Sequence, residues 1–234
     1  MDEAEFDKFA DEYHAIHVTN IAISGEQPAY FAEYKIRDLA REYLAKAPGR
    51  DGRISILDFG AGVGTSVPFM RKYLPLSEIT CLDISRRSLA IGQARWGEQA
   101  RFQHFDGERI PLVDASIDIA FAACVFHHIP DREHLGLLRE FRRVLRPGGM
   151  ACIFEHNPYN PLTRHAVNTC PFDENAKLIP ARAMRSKLTA ASFGRIAIRY
   201  RIFFPAPLRA LRPLEPGMTW LPLGAQYYAV AAKG

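Results

Sequence analysis

The chain has 234 residues, of which 48% are hydrophobic and 24% charged, with a formal net charge of +4 at pH 7. This composition is typical of a globular domain with a sizeable core, and so mild a charge gives no reason to expect a nucleic-acid partner. The acidic start MDEAEFDKFADEY and the short, interrupted apolar runs argue against a signal peptide and a membrane span. We therefore expect a cytoplasmic protein with no membrane partner.

Residues 1–50 are predicted to form a helical cap. Aromatic and aliphatic side chains recur at helical spacing over residues 6–13 and again over residues 30–44. The segment between these two runs contains Gly25 and Pro28 and predicts a loop. The cap is therefore expected to consist of two helices that pack on the rest of the chain.

Residues 54–70 predict a buried strand, a tight turn and the start of a helix. The strand part, ISILDF, is mostly β-branched and apolar and contains an acid, and the turn has glycine at positions 60, 62 and 64. Glycine at the first two positions permits positive φ and lets a ligand approach the backbone closely. We expect unpaired N–H groups at the following helix start, which suit an anionic group.

Two further predicted strands also end in acids. Residues 79–85, ITCLDIS, carry Asp83 near their end, and a short strand over residues 102–105 is followed by Asp106. Because the carboxyl ends of parallel strands form the ligand crevice of an open sheet, we expect Asp58, Asp83 and Asp106 to line one crevice.

Asp83 is a candidate for gripping ribose hydroxyls. Its distance along the chain from Gly60 is close to the spacing at which nucleotide-binding folds place such a carboxylate. The alternative role, capping the next helix, is better suited to Ser85.

The second half of the chain continues the alternation of strands and helices. A strand is predicted over residues 117–124, and a helix begins near Asp131 with an apolar stripe. The string LRPGG predicts that this helix ends with a glycine cap before a strand over residues 150–154. Two more strands are predicted, one over residues 195–204 and the last in AQYYAVAAKG.

In this context LDFGAGVGT resembles the first motif of the class I S-adenosylmethionine-dependent methyltransferases of the small-molecule type. HHIPD and LRPGG resemble later motifs of the same family, and the resemblance covers about residues 6–155. A dinucleotide fold would have glycine where Thr65 stands, and no Lys-Ser/Thr pair follows the turn as in a P-loop. The resemblance implies a single domain over residues 1–234: a Rossmann-like three-layer α/β sandwich with a seven-stranded, mostly parallel sheet whose last strand is antiparallel.

The resemblance also implies S-adenosylmethionine as the cofactor and S-adenosylhomocysteine as the product. The positions it assigns to the cofactor are strand ends, the glycine turn and one aromatic residue of the cap. They are Asp58, Gly60, Ala61, Gly62, Asp83, Ile84, Asp106, Gly107, Ala123 and Tyr13.

Within that set, the resemblance gives Asp58 the amino end of the methionine moiety and Asp83 the ribose. Ile84 would pack on the adenine, and Asp106 with Gly107 would meet the adenine edge. A simple turn is the alternative interpretation of the Asp-Gly pair.

Four side chains near the ends of the fourth and fifth predicted strands are candidates for a general base. They are His127, His128, Glu155 and His156. A base is needed only where the methyl acceptor is protonated at the working pH. Histidines 127, 134 and 156 could be imagined as metal ligands, but their spacing does not indicate a preformed site, and we predict no metal.

The acceptor pocket is predicted to be built by the cap and by two insertions, residues 157–188 and 203–223. We interpret the first insertion as a long loop, and its basic residues favour an anionic or sugar-containing acceptor. The function predicted is methylation of nitrogen, oxygen or carbon of a small molecule by a monomer or homodimer. The alternatives are an NAD(P)-binding Rossmann oxidoreductase and a non-catalytic S-adenosylmethionine-binding protein.

Overall fold

A computed structural model describes residues 24–46 and 52–234 of the chain. The predicted helix over residues 6–13, and with it Tyr13, lies outside the described residues. The second helical run is confirmed as α1 (Pro28–Lys46), whose buried side chains include Tyr34 and Leu39. These residues recur at helical spacing because one face of the helix packs on the sheet.

The core of the described chain is one seven-stranded sheet. Its strands are β1 (Ile54–Phe59), β2 (Ser77–Asp83), β3 (Arg101–His104), β4 (Ile117–Ala123), β5 (Leu145–His156), β6 (Gly194–Arg201) and β7 (Gln226–Ala232). The order across the sheet is β3-β2-β1-β4-β5-β7-β6. Pairing is parallel except at β7, which runs antiparallel to both β5 and β6. The predicted α/β sandwich with an antiparallel last strand is confirmed.

Helices cover both faces of this sheet. After α1 they are α2 (Val67–Tyr73), α3 (Arg86–Trp96), α4 (Asp131–Val144), α5 (Pro161–Asn168), α6 (Ala181–Ala190) and α7 (Glu215–Met218). Two separate apolar clusters result, and alternate residues of β1 divide between them. Leu57 and Phe59 belong to one cluster and Ile56 to the other. This alternation follows from the two-residue period of a strand that is buried on both faces.

The register of the central strands brings the predicted acids of β1 and β2 to one edge. Asp58 pairs with Cys81 and Phe59 with Leu82, so that the end of β1 lies beside the end of β2. The next helix, α3, begins after Ser85, whose side chain accepts a hydrogen bond from the Ser88 N–H at 3.0 Å. The predicted cap is therefore confirmed.

The prediction of a glycine cap at LRPGG is wrong. Helix α4 ends at Val144, and Leu145 is already extended and begins β5. The Gly148 N–H donates to the Lys233 carbonyl, and the Lys233 N–H donates to the Gly149 carbonyl. These glycines extend β5 alongside the far end of the chain, a long-range pairing that a local capping pattern cannot predict.

The first insertion is not the long loop that we expected. Helix α5 and a short 3-10 turn, Pro171–Asp173, occupy much of it, and α6 begins at Ala181. Asn160 caps α5 by accepting a hydrogen bond from the Thr163 N–H at 3.0 Å. Asn-Pro at a helix start is the signal that the loop interpretation overlooked.

Among the described residues, no helix combines the length and the apolar character that crossing a bilayer requires.

Candidate active site

A cavity of about 570 Å³ opens at the carboxyl ends of the central strands. Its lining is mostly apolar and comes from α1, the glycine turn, the ends of β1, β2 and β4, and α5. Two groups of polar residues face it. We call Asp58 and Asp83 the acid pair, and His127, His128, His156 and Asp173 the histidine cluster.

The glycine turn lies against the cavity in a backbone conformation that favours glycine. Gly60 has a φ of +71°, and a Cβ at this position would lie 2.5 Å from Val125 Cγ2. Gly62 has a φ of +53°, and a Cβ there would meet only open space. The turn is pinned to β2 because the Gly60 N–H donates to the Leu82 carbonyl at 2.8 Å. Any side chain at position 60 would displace this turn.

The N–H groups at the start of α2 are not available as we expected. The Val67 N–H donates to the Gly64 carbonyl, and the Phe69 N–H donates to the Ser66 carbonyl. The hydrogen-bonded turn before the helix therefore uses donors that the sequence suggested for an anion.

Asp83 has a structural role that the sequence analysis did not predict. One carboxylate oxygen accepts the Gly62 N–H at 2.8 Å, and the other accepts the Ser85 N–H at 2.9 Å. Asp83 therefore ties the glycine turn to the start of α3. Its side chain also lines the cavity.

Asp58 is the unsatisfied member of the acid pair. It is 3% exposed, and its Oδ2 atom has no hydrogen-bond partner. Burial and the neighbouring Asp83 carboxylate raise the pKa of Asp58 to about 7, and the Lys35 ammonium opposes this rise. A buried carboxyl in this state is suited to receiving a cationic donor from a ligand.

The third predicted acid does not join the pair. Asp106 is exposed, and its Oδ1 accepts the N–H groups of Glu108 and Arg109, as in a simple turn. Neither Asp106 nor Gly107 lines the cavity, so the expectation of three acids in one crevice is wrong for Asp106. Their contact with adenine stays a prediction.

The other cofactor residues implied by the resemblance lie where a contact can be made. Ala61, Ile84 and Ala123 all line the cavity, together with Gly60 and Gly62. Their assigned roles stay predictions.

The buried Glu155 carboxylate holds the histidine cluster in place through its contact with His127. The Nδ1 atom of His127 lies 2.6 Å from Glu155 Oε2, and Glu155 Oε1 accepts the Phe126 N–H at 2.9 Å. Burial favours neutral forms of both side chains, but their mutual attraction raises the pKa of His127 to about 10 and lowers that of Glu155. Glu155 is fully buried and does not line the cavity, so it reaches a ligand only through His127.

Asp173 joins two histidines of the cluster. Its Oδ1 atom lies 3.4 Å from the Nε2 atom of His127 and 3.4 Å from that of His128. Burial and the positive charge of His127 lower the pKa of His128 to about 4. The His156 ring centroid lies 5.2 Å from that of His127. Of the four predicted base candidates, His127, His128 and His156 therefore line the cavity.

The histidine grouping differs from the set considered as metal ligands. His134 is buried under the cluster, where its Nε2 atom lies 2.9 Å from the carbonyl oxygens of Phe126 and Ile129. His134 therefore supports the 3-10 turn Phe126–His128 and does not line the cavity. Asp173, which no spacing pattern singled out, takes its place beside His127 and His128.

Cys124 is a further polar member of the lining. It has a φ of +59°, and the Lys35 ammonium donates to its sulfur at 3.4 Å. Burial raises the pKa of this thiol, but Lys35 and His156 outweigh that effect and bring it to about 6. A positive φ at a non-glycine strand end is a structural signal that no local sequence pattern predicts.

Both insertions contribute to the cavity, but they do so mainly through apolar residues and not through the basic residues of the first insertion. Helix α5 supplies apolar lining, and the proline-rich segment supplies Phe203 and Pro205. Trp220, in the same segment, is 73% exposed and lies outside the lining. The exposed arginines Arg164 and Arg182 also lie outside it, so the predicted anionic acceptor has no support from their positions.

Comparisons with known proteins agree with this geometry. A family model described as a methyltransferase domain matches residues 57–153. The ubiquinone/menaquinone biosynthesis C-methyltransferase UbiE of Hahella chejuensis is 28% identical over 144 residues, which cover 58% of this chain and 57% of that protein. The trans-aconitate 2-methyltransferase of Azoarcus sp. is 30% identical over 171 residues, covering 71% of this chain and 63% of that protein. The chain thus spans about six-tenths of the length of these two curated relatives.

A solved structure extends the likeness of fold to nearly the whole chain. It is a SAM-dependent methyltransferase, possible histamine N-methyltransferase, from Thermotoga maritima, with a TM-score of 0.67 and 18% identity over 99% of both chains. The matched residues include strands β2, β3 and β4, the glycine turn and the acid pair. Over residues 57–153 the chain is therefore similar to a methyltransferase domain, and its fold is like that of the S-adenosylmethionine-dependent enzyme from Thermotoga maritima, which supports S-adenosylmethionine as the cofactor.

Proposed function

We propose that this chain transfers the methyl group of S-adenosylmethionine to nitrogen, oxygen or carbon of a small organic acceptor. The observation that carries this proposal is that the partnerless Asp58 carboxyl and the glycine turn face the same cavity as the histidine cluster. A volume of about 570 Å³ is within the usual range for small-molecule sites, so a cofactor and an acceptor group can meet there.

The residues present fit the cationic methionine part of the cofactor. A buried acceptor without a donor costs about 1–3 kcal/mol, and Asp58 Oδ2 is such an acceptor. An amino group placed beside it supplies both the missing donor and an opposite charge. The open space over Gly62 leaves the backbone accessible on the same side.

The nucleoside part fits the next strand end. Each oxygen of Asp83 already accepts one N–H, and a carboxylate oxygen has a second lone pair with which to accept a ribose hydroxyl. Ile84 follows directly and offers an apolar surface to the adenine. Asp106 and Gly107, one strand further along, would reach only the outer edge of the base.

When bound, the cofactor supplies a methyl group already activated on a cationic sulfur. The chain's own contribution is to align the acceptor and to exclude water. The apolar lining from α1 and α5 supplies the exclusion, and the acid pair fixes one reactant. Because the cofactor is already activated, the protein needs to supply a base only when the acceptor is protonated.

Two residues are suited to that base. Both ring nitrogens of His127 already lie beside carboxylates, Glu155 and Asp173, so His127 is not suited to accept a proton from the acceptor. His128 and His156 line the cavity and are the remaining candidates. We infer that one of them accepts the proton of the acceptor.

The lining also bears on the acceptor. Beyond the acid pair, its mostly apolar surface carries the histidine cluster, and this favours a largely apolar molecule with a single nucleophilic group. A role in ubiquinone/menaquinone biosynthesis, which the name of one relative carries, is compatible with such an acceptor. Cytoplasmic location and a monomeric or homodimeric state stay predictions.

Calorimetric titration of the full chain with S-adenosylmethionine tests the cofactor half of the proposal, and S-adenosylhomocysteine serves as the second ligand. The acceptor half is tested with cofactor labelled in the methyl group, first on a panel of quinols, thiols and tricarboxylates and then on fractionated small-molecule extract. We expect saturable binding of both ligands and labelled product in at least one fraction.

Other outcomes identify the alternatives. Enhanced NADH fluorescence without S-adenosylmethionine binding would indicate an oxidoreductase. Binding of S-adenosylmethionine with no transfer to any fraction would indicate a non-catalytic binding protein.

A further inference from the structure

The histidine cluster contains three side chains arranged as ligands of one ion. One ring nitrogen each of His127 and His128 and one carboxylate oxygen of Asp173 lie within 4.8 Å of one another. We propose that these three residues bind a divalent transition-metal ion of the zinc type. The binding of the ion follows from this geometry alone and does not depend on the proposed methyl transfer.

The distances suit an ion better than a network of hydrogen bonds. Asp173 Oδ1 lies 3.4 Å from both Nε2 atoms, whereas N–H···O bonds are usually about 2.7–3.2 Å long. Zinc binds imidazole nitrogen and carboxylate oxygen at about 2.0–2.2 Å in tetrahedral geometry. Ligand atoms around such an ion are therefore about 3.3–3.6 Å apart, because a tetrahedron edge is about 1.63 times its centre-to-corner distance. Both distances from Asp173 to the histidine nitrogens already match such an edge.

The ligand types select the kind of metal. Imidazole nitrogen suits zinc, copper, iron and nickel, whereas magnesium and calcium prefer oxygen ligands throughout. Two histidines and one carboxylate thus favour a transition metal. They also leave at least one coordination position open toward the cavity.

The contact between Glu155 and His127 supports the assignment of His127 as a metal ligand. Metal-binding histidines commonly donate their other ring N–H to a carboxylate, which fixes the ring and its tautomer. His127 has this partner in Glu155, at 2.6 Å from Nδ1, and Glu155 is itself held by the Phe126 N–H at 2.9 Å. The Nε2 atom of His127 is therefore directed at Asp173.

The backbone also holds the two ligand segments together. The Lys177 N–H donates to the His127 carbonyl at 2.8 Å, which ties the segment after the 3-10 turn Pro171–Asp173 to the turn that carries both histidines. This cross-link keeps Asp173 opposite the imidazoles. An acceptor oxygen or nitrogen could occupy the open position, a role that does rest on the proposed methyl transfer.

The test uses the full chain after treatment with a chelator and dialysis. Zinc is titrated calorimetrically, and cobalt is added as a spectroscopic probe because its visible absorption reports the geometry of its ligands. We expect one ion per chain, the intense absorption of a tetrahedral cobalt site, and no comparable binding of magnesium.

The choice of variants separates binding from folding. His127→Ala would leave Glu155 buried without its partner, so His128→Asn and Asp173→Asn, which keep that pair, are the decisive variants. Each is expected to weaken zinc binding at least tenfold, and Glu155→Gln by about tenfold to hundredfold. His165→Ala removes an exposed histidine and is the matched control that keeps full affinity.

Absence of stoichiometric zinc binding would overturn the inference, and so would unchanged affinity in both His128→Asn and Asp173→Asn. Its failure is distinct from failure of the proposed function. Chelator-treated protein that still binds S-adenosylmethionine and transfers methyl groups at the same rate would exclude a catalytic role for the ion but leave the proposed function intact. Zinc binding without S-adenosylmethionine binding would support the metal site but contradict the proposed function.

Discussion

The acid pair and the histidine cluster face one cavity but are built in different ways. The acid pair comes from two neighbouring strands and a turn between them, within residues 58–85. The histidine cluster joins β4, β5 and the first insertion, so that His127 meets Glu155 and Asp173 from distant parts of the chain. The first depends on local order along the chain, and the second depends on the complete sheet.

The two regions also differ in how far their charges are satisfied. Glu155 has a buried partner for each oxygen, whereas Asp58 Oδ2 has none. We infer that Glu155 is part of the fold, whereas Asp58 has an oxygen that a bound ligand would satisfy. Substitutions in the cluster should therefore affect stability first, and substitutions in the acid pair should affect cofactor binding first.

The largest expected effect is the loss of stability in Glu155→Gln. Removing one partner of a buried ion pair usually costs about 3–5 kcal/mol, and for a domain of this size each kcal/mol lowers Tm by about 2–4 °C. Thermal unfolding followed by circular dichroism measures the change. Together with His127→Gln the variant forms a double-mutant cycle, in which the two effects should not add. A Tm within 2 °C of wild type would contradict the inference that the buried Glu155 stabilises the fold.

Asp83→Ala is expected to weaken S-adenosylmethionine binding by about a hundredfold. It removes the charge-assisted hydrogen bond that we propose Asp83 makes with the ribose, worth roughly 1.5–3 kcal/mol, and also leaves the Gly62 N–H of the turn without its acceptor. Calorimetric titration gives the dissociation constant. Unchanged affinity would remove Asp83 from the cofactor site.

Asp58→Asn is expected to weaken S-adenosylmethionine binding by about tenfold or more, because the amide lacks the charge that attracts the cofactor's amino group. The variant should be no less stable than wild type at pH 8, since it no longer carries a partnerless buried carboxylate. The two measurements are calorimetric titration and thermal unfolding.

Asp118→Asn is the matched control at the opposite end of the strands. Asp118 is equally buried, but its carboxylate accepts the Ser55 N–H at 2.9 Å and pairs with Arg146 at 2.8 Å. This control should lose stability and keep its cofactor affinity. The opposite pattern in the two variants would reverse our assignment of roles.

The smallest expected effect is a dependence of cofactor binding on pH. The pKa of Asp58 is raised to about 7 by burial and by Asp83, with Lys35 opposing, so the carboxylate that attracts the cofactor is lost as the pH falls through this value. Affinity at pH 6 should be about tenfold weaker than at pH 8, since the ionised fraction of a group with a pKa of about 7 falls from about nine-tenths at pH 8 to about one-tenth at pH 6. Asp58→Asn should show no such dependence, and an identical pH profile in the variant would exclude Asp58 as its source.

Much of the fold could be predicted from local patterns. The strand and glycine turn around Asp58, the cap at Ser85 and the antiparallel last strand were all predicted and confirmed. The first two follow from side-chain periodicity or from a residue's own backbone preference, which act over a few positions, whereas the antiparallel last strand was implied by the family resemblance.

The two failures have different causes. LRPGG was predicted to cap a helix, but its glycines pair with Lys233, a contact between distant segments that outweighed the local signal. The first insertion was predicted as a loop, but it contains a helix whose apolar face lines the cavity. There the local signal, Asn160 before Pro161, was present and was overlooked.

The sequence by itself determined the methyltransferase-type glycine turn and placed an acid at the end of each of two adjacent strands, because strand period and glycine conformation are local properties. Only the tertiary structure decided that Asp58 would lack a partner, that Asp106 would face solvent, and that His127, His128 and Asp173 would meet. Burial and proximity decide charge and reactivity, and both are fixed only when segments far apart in the chain are packed together.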